Sequence, residues 1–259
     1  MTDHHIEIIE SREAQVADLR VRRALPTKGR RTVGAWCFVD HMGPMSLSPD
    51  RSIDVAPHPH MGLQTVTWLF SGEFLHRDSL GSEQLIRAGQ LNLMTSGHGV
   101  AHSEENPGLR SGEMHGMQLW VAQPSSTRNG GAGFEHFDAL PVVETTNLTA
   151  TVLVGTFGER RSPARQDSAL VGVELDLHGG DATVVLDVTF EYALVVAKGA
   201  VLVDDIDAVS YTHLVLHQRH HGVEVLPGRA GLRFHIRMSR LPGSPGFLMT
   251  TGKGQVHSD

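Results

Sequence analysis

The chain has 259 residues, 40% hydrophobic and 20% charged, enough apolar material for one large core or two of ordinary size. A formal net charge of −7 argues against sequence-independent DNA binding, which needs cations to displace counterions. A lone cysteine excludes an intramolecular disulfide framework, and charged residues or glycines break every apolar run short of membrane-spanning length.

The opening MTDHHIEIIE lacks the basic-then-apolar order of a secretory signal, so a cytoplasmic, reducing location is expected. RVRRALPTKGRR, Arg20 to Arg31, is a local basic exception and reads as a solvated strand and turn. Cys37 reads as an ordinary buried thiol, and Asp40-His41 as structural residues near a barrel rim, with a place beside the pocket as the alternative.

Next comes PHPHMGLQTVTWLFSG, where His58 and His60 stand two apart at the head of a β-branched and aromatic run. AGQLNLMTSGHGVAHSEEN follows, with His102 and Glu104 at the same spacing. Residues two apart in a strand share a face, so each pair points one way. If both segments line one barrel, three imidazoles and a carboxylate converge on its interior. Such a set suits one divalent transition metal, Fe, Ni, Cu, Co or Zn, with positions left for water or substrate. Either pair alone is a weak signal; their joint occurrence beside glycine-rich turns carries the reading. By the same parity Gln64 is expected on the interior face, within hydrogen-bonding reach of a ligand. His98 reads as a turn residue, and Val66, Trp68, Phe70, Leu91 and Leu93 as candidate pocket walls.

After MHGMQLWVA the segment Gln123 to Pro141 is small, polar and glycine-rich, and its residues 129–141 read as a linker. The runs TATVLVGTF, VGVELDL, ATVVLDV, YALVVAKGAVLV and HLVLH repeat the strand-and-turn rhythm. Short strands with Gly and Asp breaks indicate an all-β chain of barrels or sandwiches. The expectation is a duplicated barrel: residues 1–128 with the metal, residues 142–259 without it, each with its own core and few short helices. His213, His217, His220 and His221 cluster near the end but lack the paired spacing of the first half.

PHPHMGLQTVTWLFSG and MTSGHGVAHSEEN resemble the two cupin motifs, His102 and Asn106 carrying the histidine-to-asparagine spacing of the second. With VRRALPTKGRRTVGAWCFVDHMGP, HRDSLG and QLNLMTSGHGVAHSE, the chain specifically resembles the pirin family of bicupins, from about Val21 to Asp187. The resemblance implies two tandem cupin (jelly-roll) barrels, metal bound by His58, His60, His102 and Glu104, and a metal-free second barrel. It departs at Gln64, where most pirin-like sequences carry glutamate, at Met61, where arginine is frequent, and beyond about Ser210. It also implies a quercetin 2,3-dioxygenase activity, in which dioxygen attacks a metal-bound flavonol, cleaving its heterocycle and releasing carbon monoxide. In that activity Glu104 acts as general base, with Fe(II) first among the possible ions and Mn added to those above. A second implied class is a metal-dependent regulator that binds a transcription factor or other protein, to which an acidic surface is suited. A third is a cupin isomerase or hydrolase.

Overall fold

The computed structural model describes residues 5–48, 53–106, 112–178, 180–187, 190–203, 206–209, 212–217, 232–238 and 244–252. The first half holds β1 (His5–Glu10), β2 (Arg12–Val16), β3 (Leu19–Leu25), β4 (Trp36–Leu47), β5 (Val55–His60) and β6 (Leu63–Ser71). It continues with β7 (Glu73–Asp78), β8 (Glu83–Arg87), β9 (Leu91–Thr95), β10 (Val100–Glu105), β11 (Gly112–Ala122) and β12 (Gly133–Phe137). The second half holds β13 (Val142–Glu144), β14 (Leu148–Val154), β15 (Thr156–Phe157), β16 (Arg160–Arg161), β17 (Leu170–Leu177) and β18 (Asp181–Leu186). It ends with β19 (Phe190–Val196), β20 (Ala200–Val203), β21 (Ile206–Val209), β22 (Thr212–His217), β23 (Leu232–Met238) and β24 (Ser244–Gly252). The described residues contain no helix, so the few short helices expected from the sequence are not found there. Among the described residues, no helix is long and apolar enough to cross a membrane.

Each half pairs a seven-stranded antiparallel sheet with a four-stranded one. The first has orders β12-β9-β6-β11-β4-β3-β2 and β5-β10-β7-β8; the second has β1-β22-β19-β24-β17-β14-β13 and β18-β23-β20-β21. Two segments sit outside the division expected from the sequence. Residues 133–137 of the expected linker form β12, which pairs with β9 and completes the first sheet. Strand β1 crosses to the second half, where Ile6 faces Leu216 in the ladder with β22. Glycine-rich flanks disguised β12, and no local signal marks the distant partner of β1.

Alternation along the strands sorts side chains into two layers. Val39, Val66, Trp68, Leu91, Leu93, Met117, Leu119 and Val121 pack with Leu153, Leu170, Ala193, Val195 and Val215 of the second half. The two barrels therefore share an apolar layer, which corrects the expectation of wholly separate cores. Polar bridges reinforce it: Trp68 Nε1–H donates to Glu174 Oε2 (3.2 Å), Gln123 Nε2 to Asp167 Oδ2 (2.8 Å) and Arg30 NH1 to Glu191 Oε1 (2.8 Å). The second barrel encloses its own aliphatic cluster, including Val173, Leu175, Val184, Leu194 and Val201. In the first barrel Leu19, Val21, Met42, Leu69, Phe74, Ile86 and Met114 fill one end. The other end is polar.

Candidate metal centre

Strand β5 lies at the edge of its sheet, which explains PHPH. Proline cannot donate to a ladder and is tolerated at an edge, so Pro57 and Pro59 alternate outward, exposed, while His58 and His60 turn in. The ladder with β10 sets His102 opposite His58 and Val100 opposite His60. Ring centroids are 4.5 Å apart for His58 and His102, 4.8 Å for His58 and His60, and 5.0 Å for His60 and His102. One ring nitrogen from each of the three lies within 4.8 Å of the others, close enough to share one ion. His58 Nδ1 is 2.9 Å from the Ala56 carbonyl. A carbonyl only accepts, so Nδ1 carries the proton and Nε2 offers its lone pair. Burial, reinforced by neighbouring His58, lowers His60 to about 4; burial, with His58, His76 and His60 beside it, lowers His102 to about 3. Both are neutral near pH 7, so binding an ion there displaces no proton.

Glu104 follows His102 on β10, and the ladder with β7 keeps both on one face, opposite His76 and Asp78. Its carboxylate forms a second triplet with His76 and His102, again with donor atoms within 4.8 Å of one another. The two triplets share His102. Burial pushes Glu104 up to about 7, against a hydrogen bond from Thr67 Oγ1 to its Oε1 (3.2 Å). The Gln118 side-chain oxygen lies 2.9 Å from the same hydroxyl. His76 was missed from the sequence, although HRD repeats the histidine-x-acid spacing of His102 and Glu104.

Comparison with known proteins agrees with this architecture. The family model described as Pirin matches residues 18–121. A pirin-like protein of Caulobacter vibrioides is 39% identical over 205 residues, 76% of this chain and 71% of that protein. The chain belongs to the pirin family. A Pseudomonas aeruginosa relative, provisionally named a quercetin 2,3-dioxygenase, is 43% identical over 200 residues, which span 76% of this chain and 63% of that protein. The crystal structure of quercetin 2,3-dioxygenase from Acinetobacter baumannii superposes with a TM-score of 0.86 at 38% identity, covering 95% of this chain and 79% of that one. A bacterial pirin from Escherichia coli, solved in complex with nickel(II), shares the fold at 16% identity and a TM-score of 0.71, covering 96% of this chain and 99% of that one. Two tandem cupin barrels are thus the fold of this pirin-family chain.

The pirin site has walls other than those expected. Val66, Trp68, Phe70, Leu91 and Leu93 belong to the shared apolar layer or pack against it, facing away from the histidines. Gln64 also faces that way: its Nε2–H donates to Thr95 Oγ1 (3.0 Å). The reason is Gly62, whose φ of +67° turns the chain between β5 and β6 and resets the alternation. Parity counted from His60 therefore fails beyond Met61, which is itself 70% exposed. The observed walls are aromatic. Trp120 meets His60 edge-on (5.0 Å) and stacks on Phe38 (4.0 Å), and Phe134 stacks on His76 (4.3 Å). Arg23 lies over Phe38 and forks onto Asp40, Nε to Oδ1 and NH2 to Oδ2 both 2.7 Å.

Asp40 and His41 part company, as adjacent strand residues must. His41 turns into the shared layer, where its Nε2 is 2.8 Å from His115 Nε2. Cys37 is half-buried, and burial raises its thiol to about 11, consistent with an inert sulfur. His98 behaves as a turn residue, with Nδ1 2.8 Å from the Gly130 carbonyl. His220 and His221 lie outside the described residues, as do the side chains of His213 and His217.

Proposed function

We propose that this chain is a metal-dependent dioxygenase that opens the heterocycle of flavonols such as quercetin. His58, His60 and His102 hold a single divalent ion in this reading, with Glu104 as carboxylate ligand and general base. Fe(II) is the first choice among the ions that such donors accept, which include Ni, Cu, Co, Zn and Mn. The observation that carries the proposal is the convergence of three imidazoles from β5 and β10 beside a buried carboxylate. The likeness at 38% identity to a solved quercetin 2,3-dioxygenase supports the substrate class. No similarity reported above favours the regulatory alternative.

A bound ion would supply a Lewis acid that acidifies a coordinated hydroxyl and the electronic partner that dioxygen chemistry requires. The remaining work falls to the protein. His58 and His60 arrive on a proline-stiffened edge strand, so their rings are placed with little conformational freedom to lose. Glu104 takes the proton of the flavonol hydroxyl, and Thr67 orients the carboxylate for it. Trp120, Phe38 and Phe134 offer flat apolar surface to an aromatic substrate and exclude water from the reacting end.

The test is aerobic mixing of quercetin with protein loaded with each ion in turn, following the flavonol absorbance. Metal-dependent decay should vanish in Glu104→Gln while the ion stays bound. Absence of decay with every ion would overturn the proposal.

A further inference from the structure

The ion-binding face of His102 is settled by groups that lie behind it. Asp78, with a side chain 0% exposed, accepts from the backbone N–H of Leu80 (2.9 Å) and of Ser82 (3.0 Å) through Oδ1. Its Oδ2 lies 3.1 Å from His76 Nε2. A carboxylate so engaged is an acceptor, so His76 carries its proton on Nε2 and its Nδ1 is bare. That bare nitrogen is 3.3 Å from His102 Nδ1, which must therefore be the protonated one. The consequence falls on the far side of the ring: His102 Nε2 is left as a lone pair. Phe134, stacked on His76 at 4.3 Å and 16°, holds the intermediate ring in plane.

From this geometry we infer that His76 and Asp78 are positioning residues, an outer relay that fixes the tautomer and orientation of His102 for an ion it shares with His58 and His60. The inference rests on the metal-binding half of the proposal above and is independent of flavonol turnover. His58 achieves the same end more simply, through the Ala56 carbonyl. The strand register explains why one relay needs two residues: the ladder of β7 with β10 brings both Asp78 and His76 alongside His102 and Glu104. It also separates this role from that of an ion ligand. In the tautomer set by Asp78, the bare nitrogen of His76 is spent on His102.

Asp78→Asn tests the chain of tautomers directly. The amide oxygen can still take the two backbone N–H groups, but its NH2 then faces His76 Nε2 and forces the proton to Nδ1. Two N–H groups, of His76 and His102, would then oppose each other. Zn(II) affinity measured by chelator competition should fall roughly 10- to 100-fold, the usual cost of losing such an outer partner, with far-UV circular dichroism unchanged. His76→Gln should fall by a similar factor. A measurement on the unaltered protein makes the test independent of either variant's folding. Long-range proton–nitrogen NMR of the metal-free and Zn(II)-loaded chain should show His76 protonated at Nε2 and His102 at Nδ1. His76 protonated at Nδ1, a zinc-shifted His76 nitrogen, or affinity unchanged in both variants would overturn the inference. Failure to turn over quercetin with these tautomers and affinities intact would sink the dioxygenase reading and leave the relay standing.

Discussion

Glu174 reaches across the shared layer to Trp68, and its ionisation sets a measurable limit on how firmly the barrels hold together. Burial, the nearby Asp176 charge and a single hydrogen bond from Trp68 leave this carboxyl at about 7, against an ordinary 4.5. Below pH 4.5 the group is protonated in both folded and unfolded chains and costs nothing. Between 4.5 and 7 the unfolded chain releases the proton while the folded one keeps it, so stability falls as pH rises. Above 7 the full penalty is present, about 2.5 units at 1.36 kcal/mol each, or roughly 3 kcal/mol. Glu174→Gln removes the charge and keeps an oxygen for Trp68 Nε1–H. Its new N–H donors arrive beside Asp176, whose Oδ1 is buried without a hydrogen-bond partner.

The expectation is a variant indistinguishable from wild type near pH 4.5 and more stable by about 3 kcal/mol at pH 8. Urea unfolding of both proteins across that range, with chelator present, measures the difference. Histidine protonation at the acid end affects both chains equally and cancels. A gain that does not vary with pH, or a variant less stable at pH 8, would refute the assignment of the penalty to Glu174.

Two further outcomes follow from other buried groups. Burial lowers His41 to about 3 and His115 to about 4, so each stays neutral when folded yet takes a proton below 6.5 when unfolded. Stability should drop as pH falls from 6.5 towards 4, by a few kcal/mol for the pair. His41→Leu with His115→Leu should flatten that part of the urea-derived profile; an unchanged slope would place the acid sensitivity elsewhere. Gly116→Ala would set a Cβ 2.7 Å from both Leu69 Cδ2 and the Trp68 carbonyl oxygen. Thermal unfolding should show a loss of about 1–3 kcal/mol, and no loss would mean that β6 and β11 can part without cost.

The sequence revealed most where its code is local. Alternation and turn residues were enough for an all-β chain, and two i, i+2 pairs were enough to bring His58, His60 and His102 together. Parity held within each strand and failed across Gly62, because a positive-φ turn is invisible to counting; Gln64 and the supposed walls went to the wrong face together. His76 shows a different limit. Its pair HRD has the same form as HSE, but only the ladder between β7 and β10 reveals that the two pairs face each other. Long-range register also hid β1 and β12, whose partners lie over 200 and about 40 residues away.

That failure of parity exposes the working principle of the first barrel. Strands β4, β6, β9 and β11 each serve two masters, with one set of alternate residues inside and the other in the shared layer. Asp40 lies inside and His41 outside, Thr67 inside and Trp68 outside, Gln118 inside and Leu119 outside. The histidines divide in the same way. His58, His60, His76 and His102 meet inside, where an ion can bind, while His41 and His115 meet in the layer, beside Phe70. Nothing in the composition distinguishes the two groups, and burial makes His41, His60, His102 and His115 all poor bases. For His58 and His102 the difference is what stands behind the ring. A carbonyl behind His58, and a histidine backed by a carboxylate behind His102, leave lone pairs aimed at a common centre. His41 and His115 aim their Nε2 atoms at each other, so one must donate and the other accept. His102 becomes a candidate ligand here through its rear partner, and that partner is a product of strand register.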